Sequence, residues 1–106
     1  MSNSRCEYLI ERMGRKHKEC DTLNSILRDC QRKRDAAVDR LHETWDRASH
    51  GWKMSDQGQQ FTERAQREID HWTDRAVGIQ NQLEGVRVEI VELEELIREE
   101  QDAMWR

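Results

Sequence analysis

The sequence predicts an all-α protein in which two long amphipathic helices form an antiparallel coiled-coil hairpin. Three observations predict this fold: apolar residues follow a heptad spacing along most of the chain, a short glycine- and serine-containing segment interrupts that spacing near the middle, and proline is absent. Association of two such hairpins into a four-helix bundle is left open. With 106 residues, the chain predicts a single domain that is too thin to enclose a pocket.

The first helix is predicted over about residues 4–48. Ser4 and Glu7 have the spacing of a capping box, in which each side chain bonds the other residue's backbone N–H. From Cys6 to Ala48 the residues at alternating steps of three and four are apolar at ten of thirteen positions. Lys16, Arg34 and Thr44 are the interruptions. This spacing is typical of a coiled-coil helix and not of a strand.

A turn is predicted over about residues 49–57, and the second helix over about residues 58–105. The turn segment contains two serines and a glycine, which favour a break in helical structure. Asp56 and Gln59 offer a second capping box. From Thr62 to Met104, eleven of thirteen heptad positions are apolar. The two helices are similar in length, which favours their pairing.

Folding back at this turn is predicted in preference to one continuous helix that dimerises. The predicted register places residues whose numbers sum to about 110 opposite each other, such as Met13 and Ile97. It also places the basic segment 12–18 beside the acidic segment 92–100, and such charges select the antiparallel orientation. The predicted interhelix seam contains Leu9, Met13, Leu23, Leu27, Leu41, Ile69, Trp72, Ile79, Leu83, Val86, Ile90, Leu93 and Ile97.

Apolar residues outside the seam are the candidate partner-binding residues, because a two-stranded coil needs only its heptad stripe to be apolar. The half of the hairpin opposite the turn is predicted to form an exposed apolar end, which consists of Tyr8, Ile10, Val88, Val91, Leu96 and Trp105. At the turn, Trp52 is expected to be an exposed anchor, since aromatic residues are frequent at protein interfaces. Trp45, Met54 and Phe61 lie near it in the sequence, and these large side chains are also interpreted as a small hydrophobic cap that closes the tip of the hairpin.

The sequence offers no catalytic residues, no cofactor-binding motif and no metal site, so an enzyme is not expected. The net charge of -4 makes nucleic acid an improbable partner. No apolar segment is long enough to insert into a membrane. Cys6, Cys20 and Cys30 lie in one helix without a pairing motif and are expected to be small buried residues, which indicates a reducing cytoplasm.

The predicted function is therefore that of a non-enzymatic coiled-coil protein-interaction module, which docks on or assembles with a partner protein through the apolar end and the aromatic turn. Three alternatives stay open. One is an inhibitor of a host protein complex, encoded by a phage or mobile element, whose acidic segment 84–102 covers a basic surface. Another is a homo-oligomeric scaffold.

The third alternative comes from a resemblance. Two long helices joined at a glycine-containing turn, with an aromatic residue shortly after it, resemble the stalk proteins of type III secretion and flagellar export. The resemblance covers most of the chain and concerns architecture only, with no motif that assigns a role to a residue. It implies a partner inside a secretion ATPase ring and an escort role for export chaperones.

Overall fold

The computed structural model describes residues 4–106, and these residues form three helices without any strand. Helix α1 spans Ser4–Arg47, the short helix α2 spans His50–Lys53, and helix α3 spans Asp56–Met104. The long helices α1 and α3 contact each other, which confirms the all-α hairpin and the predicted reversal of the chain. Helix α2 occupies a position where the sequence predicts only a turn.

The chain divides into two compact units, each of which is described by itself. The terminal unit consists of the segment that ends at Ser25, described from residue 4, together with Ile79–Arg106. The turn unit consists of Ile26–Gly78. In both units a part of α1 packs against a part of α3 that runs in the opposite direction.

The terminal unit has a continuous apolar core. Cys6, Leu9, Leu93 and Ile97 form a buried cluster, and Met13 packs against it. The remaining buried side chains of this unit are Cys20, Leu23, Leu83, Val86 and Ile90. Since every one of these residues occupies a heptad position, the core of this unit follows directly from the hydrophobic pattern.

The turn unit has a core of smaller side chains. Its fully buried apolar residues are Cys30, Ala37 and Ala76. The larger seam residues of this unit are only half-buried, namely Leu27, Leu41, Ile69 and Trp72. Small buried side chains remove less apolar area from water than leucine or isoleucine. We therefore expect the turn unit to contribute less hydrophobic stabilisation than the terminal unit.

The reversal of the chain is held by two serine caps. Ser49 precedes α2, and its hydroxyl accepts a hydrogen bond from the Trp52 N–H at 3.2 Å. Ser55 precedes α3, where its hydroxyl accepts from the Gly58 N–H at 3.1 Å and donates to the Trp52 carbonyl at 2.6 Å. The cap of α3 is thus Ser55 and not the predicted Asp56. Asp56 is already the first residue of the helix, and a cap residue precedes the first helical residue.

Gly58 is required at this reversal by a close approach of two backbone segments. A Cβ atom at this position would lie 2.0 Å from the Trp52 carbonyl oxygen and 3.0 Å from its carbon. Gly51, in α2, has no such neighbour within 4 Å. The first turn of α3 can therefore pack on the end of α2 because residue 58 lacks a side chain.

The interhelix ion pairs depart from the predicted register, by about five residues in the terminal unit and by about two in the turn unit. In the terminal unit, Arg5 pairs with Glu100 and Lys16 with Glu89, so that the paired numbers sum to 105. In the turn unit, the Arg40–Glu68 pair sums to 108. These ion pairs give smaller sums than the predicted value of about 110, whereas Met13 and Ile97, a pair of the predicted register, line one depression.

Candidate protein-interaction surfaces

Six of the seven candidate partner-binding residues are exposed in the structure. Val88 and Val91 are each 52% exposed, and Trp105 is 89% exposed. Tyr8, Ile10 and Leu96 are also exposed. In contrast, the predicted seam residues are all buried or half-buried. The helical pattern thus separates side chains that pack within this chain from side chains that face solvent.

The exposed residues of the terminal unit do not form one continuous patch. Arg12 and Glu89 each precede a seam residue by one position, which places both on the same flank of an antiparallel helix pair. Leu96 lies seven residues after Glu89 and shares that flank. Ile10 lies two residues from Arg12, about 200° around the helix at roughly 100° per residue. Ile10 and Leu96 therefore lie on opposite flanks.

Val88 and Val91 form the most clearly defined surface of the terminal unit. They lie on the outer side of α3, away from its heptad stripe, in a shallow depression of about 290 Å³. We name this depression the outer groove of α3, and its lining residues are Glu84, Arg87, Val88, Val91, Glu92 and Glu95. All six belong to α3. The outer groove is thus a property of one helix face and is left open by α1.

Most acidic side chains of the segment 84–102 form no ion pair with residues 4–106. The segment contains eight acidic residues and two arginines. Glu89 and Glu100 make interhelix ion pairs with α1. The other six acidic residues make no ion pair with any of residues 4–106. They are Glu84, Glu92, Glu94, Glu95, Glu99 and Asp102. Both interhelix pairs fall partly outside the predicted segments 12–18 and 92–100, since Lys16 pairs with Glu89 and Glu100 pairs with Arg5.

One ion pair shifts the titration of both its partners. Lys16 Nζ lies 2.7 Å from a carboxylate oxygen of Glu89. The hydrogen bond from Lys16 lowers the pKa of Glu89, and the same bond is the largest cause that raises the pKa of Lys16. Lys16 also lies 3.5 Å from Glu19 in its own helix. This lysine, an interruption of the heptad stripe, is thus held at the edge of the seam by its charge partners.

The aromatic side chains at the turn differ from the prediction at Trp52. Trp52 is half-buried, although it was expected to be the exposed anchor, because its ring packs 5.7 Å from the ring of Phe61. Met54 is 65% exposed, and Trp45 is partly exposed with the Lys53 ammonium over its ring at 5.2 Å. The large side chains at the turn therefore pack partly on one another, and Met54 is the one that extends furthest into solvent.

A groove in the turn unit was missed by the sequence analysis. It has a volume of about 330 Å³ and a floor of Ala37, Leu41, Phe61 and Ala65. The Arg40–Glu68 ion pair, with its atoms 2.9 Å apart, borders this groove. Phe61 precedes the heptad stripe by one residue, and this flanking position was the available signal. Alanines at seam positions leave space that larger side chains would fill.

No group of three or more potential metal ligands occurs among the described residues. Cys6, Cys20 and Cys30 are buried free thiols, and their predicted burial is confirmed. Within residues 4–106, none of the helices combines the length and apolar character needed to cross a membrane. No protein-family model matches the chain, and no curated protein or solved structure matches it either.

Proposed function

We propose that this chain is a non-enzymatic helical module that binds a partner protein through the outer groove of α3. The observation that carries the proposal is the exposure of Val88 and Val91, which is 52% for each side chain. Both valines lie on a helix face that α1 does not cover. Apolar side chains that are grouped and uncovered are typical of interaction surfaces.

The rest of the molecule supports this proposal. The stripe that pairs α3 with α1 is already buried in the terminal unit, so Val88 and Val91 are not needed for folding of the hairpin. A reducing, cytoplasmic location is part of the proposal, and the free buried thiols support it. An inhibitor that covers a basic host surface is the second candidate, which the unpaired acids of α3 favour.

Site-specific photo-crosslinking in the native cells tests the proposal. A photoreactive amino acid replaces Arg87, which lines the outer groove, or Asp39, an exposed residue of the turn unit. We expect position 87 to yield a covalent adduct of one discrete mass that position 39 does not yield. Adding Val88→Ser and Val91→Ser should abolish the adduct, because the apolar floor is lost.

Val77→Ser is the matched control, since Val77 lies on α3 outside the groove and is 49% exposed. This control should leave the adduct from position 87 intact. Equal crosslinking from positions 39 and 87 would contradict the proposal. An adduct that persists after both groove valines are changed would contradict it as well.

A further inference from the structure

We infer that the partner presents a basic amphipathic helix, whose apolar stripe lies on Val88 and Val91 and whose lysines or arginines lie against the acidic rim of the outer groove. This inference rests on the proposed function and gives the chemistry of the partner. Three properties support it: the shape of the groove, the acidic charge around the groove, and the same acidic charge on a second copy of this chain, which is the alternative occupant.

The shape of the groove suits a helix. Val88 and Val91 are three residues apart, which places them side by side on one face of α3. A partner helix that carries apolar residues at steps of three and four presents a stripe of matching width. The groove is shallow and lies along a helix surface, so an elongated element covers it better than a compact ligand does.

The rim of the groove is acidic and its charges are available. Glu84, Glu92 and Glu95 line it together with a single cation, Arg87. None of these four residues makes an ion pair with residues 4–106. Opposite charges across an interface accelerate encounter and select the partner. A partner with lysine or arginine beside its apolar stripe therefore complements this rim.

A second copy of this chain is a poor occupant of the same groove. In a twofold dimer the same patch of both copies meets at the interface. Such a dimer would bring six carboxylates and only two arginines together, because each copy contributes Glu84, Glu92, Glu95 and Arg87. Like charges brought together in this way oppose association. The charge of the rim thus favours a different, basic protein.

Fluorescence anisotropy with labelled synthetic peptides tests the inference on the full chain. The probe is an amphipathic peptide of about 18 residues, or five helical turns, with leucines at steps of three and four and lysines elsewhere. One comparison peptide has the same composition in scrambled order, and another has glutamate in place of lysine. We expect the amphipathic basic peptide to bind at least about tenfold more tightly than either comparison peptide.

Two sets of variants separate the apolar and ionic contributions. Val88→Ser with Val91→Ser should weaken binding of the basic amphipathic peptide about tenfold or more. Glu84→Gln, Glu92→Gln and Glu95→Gln together should weaken it similarly and should flatten its salt dependence. The matched control for charge changes three exposed acids of the turn unit by Asp39→Asn, Asp46→Asn and Asp74→Asn. This control should bind the peptide like the unmodified chain.

Equal binding of the scrambled basic peptide would overturn the inference, since it would show attraction by net charge alone. An equal loss of binding in the turn-unit control would overturn it for the same reason. If position 87 crosslinks to a protein while the basic amphipathic peptide does not bind, the inference fails and the proposed function stands. A crosslinked adduct of two copies of this chain also overturns the inference alone. Circular dichroism of each variant verifies that the helices are retained.

Discussion

Lys16 of α1 and Glu89 of α3 form an interhelix ion pair with 2.7 Å between the ammonium nitrogen and a carboxylate oxygen. The pair connects the two helices of the terminal unit at a heptad position where the sequence has lysine in place of an apolar residue. Its charges therefore replace an apolar contact at the edge of the seam, and its stabilising effect depends on pH.

The contribution of this pair to stability is expected between about pH 4.5 and pH 10.5, the ordinary pKa values of the two groups. Because folding lowers the pKa of Glu89, its contribution is lost as pH falls through the folded value below 4.5. Because folding raises the pKa of Lys16, its contribution is lost as pH rises through the folded value above 10.5. Glu89→Gln should lower the free energy of unfolding at pH 7, and the difference should vanish in acid.

Urea unfolding followed by circular dichroism at several pH values measures this dependence. Glu92→Gln is the control, since Glu92 has no ion-pair partner among residues 4–106. It should change the pH dependence less than Glu89→Gln does. A deficit of the Glu89→Gln variant that stays constant down to pH 3 would argue against the ionic contribution.

Gly58→Ala should destabilise the protein by about 1–3 kcal/mol, the range typical of overpacking. The added methyl group would lie 2.0 Å from the Trp52 carbonyl oxygen, so the backbone of α2 or of α3 has to move. Gly51→Ala is the matched control in the same reversal, with nothing within 4 Å of the new atom. Chemical denaturation should show a loss for Gly58→Ala alone. Equal effects at both positions would mean that α2 does not pack on α3 as described.

Gly78→Ala and Gly85→Ala should each stabilise the chain by about 1 kcal/mol. Both glycines lie within α3, and a Cβ atom at either position meets no other atom within 4 Å. The gain comes from the lower conformational entropy of alanine in the unfolded chain. Thermal unfolding of the two single variants measures it. A loss of stability at either position would show that another backbone approaches this face of α3 in solution.

Leu83→Ala should cost about 2–5 kcal/mol, as expected for a buried leucine in a well-packed core. Leu83 is 2% exposed in the terminal unit, whereas Leu41 is half-buried in the turn unit. Leu41→Ala should therefore cost less, because less apolar area is lost from the interior. Urea denaturation of both variants measures the two losses of unfolding free energy and shows which is larger. A cost for Leu41→Ala as large as that for Leu83→Ala would indicate that something covers the turn-unit seam in solution.

Much of this architecture was predictable from the sequence, as the terminal unit illustrates. Leu9, Leu93 and Ile97 were assigned to the seam from their heptad spacing, and they lie together in one buried cluster. Local periodicity suffices here because it determines which face of a helix is apolar. The exposure of Val88 and Val91 follows from the same rule, since both lie outside the stripe.

The predicted apolar end shows that closeness along the hairpin does not by itself place two residues in one patch. The sequence predicts that Ile10 and Leu96 share one patch, because both lie in the half of the hairpin away from the turn. The structure places them on opposite flanks of the helix pair. Both positions lie near the same end, but Ile10 follows the seam residue Leu9 whereas Leu96 precedes the seam residue Ile97. In an antiparallel helix pair these two kinds of position lie on opposite sides of the seam.

The two long helices, the residues that face the seam, the break between the helices and the grouping of Val88 with Val91 on one face of α3 all follow from the sequence. The register, the cap at Ser55 and the glycine requirement at position 58 come from the tertiary structure. The heptad pattern does not specify the register, because sliding one helix by about a turn still leaves one apolar stripe facing the other. The register is then selected by the geometry of the reversal around α2, where Gly58 and Trp52 come into contact.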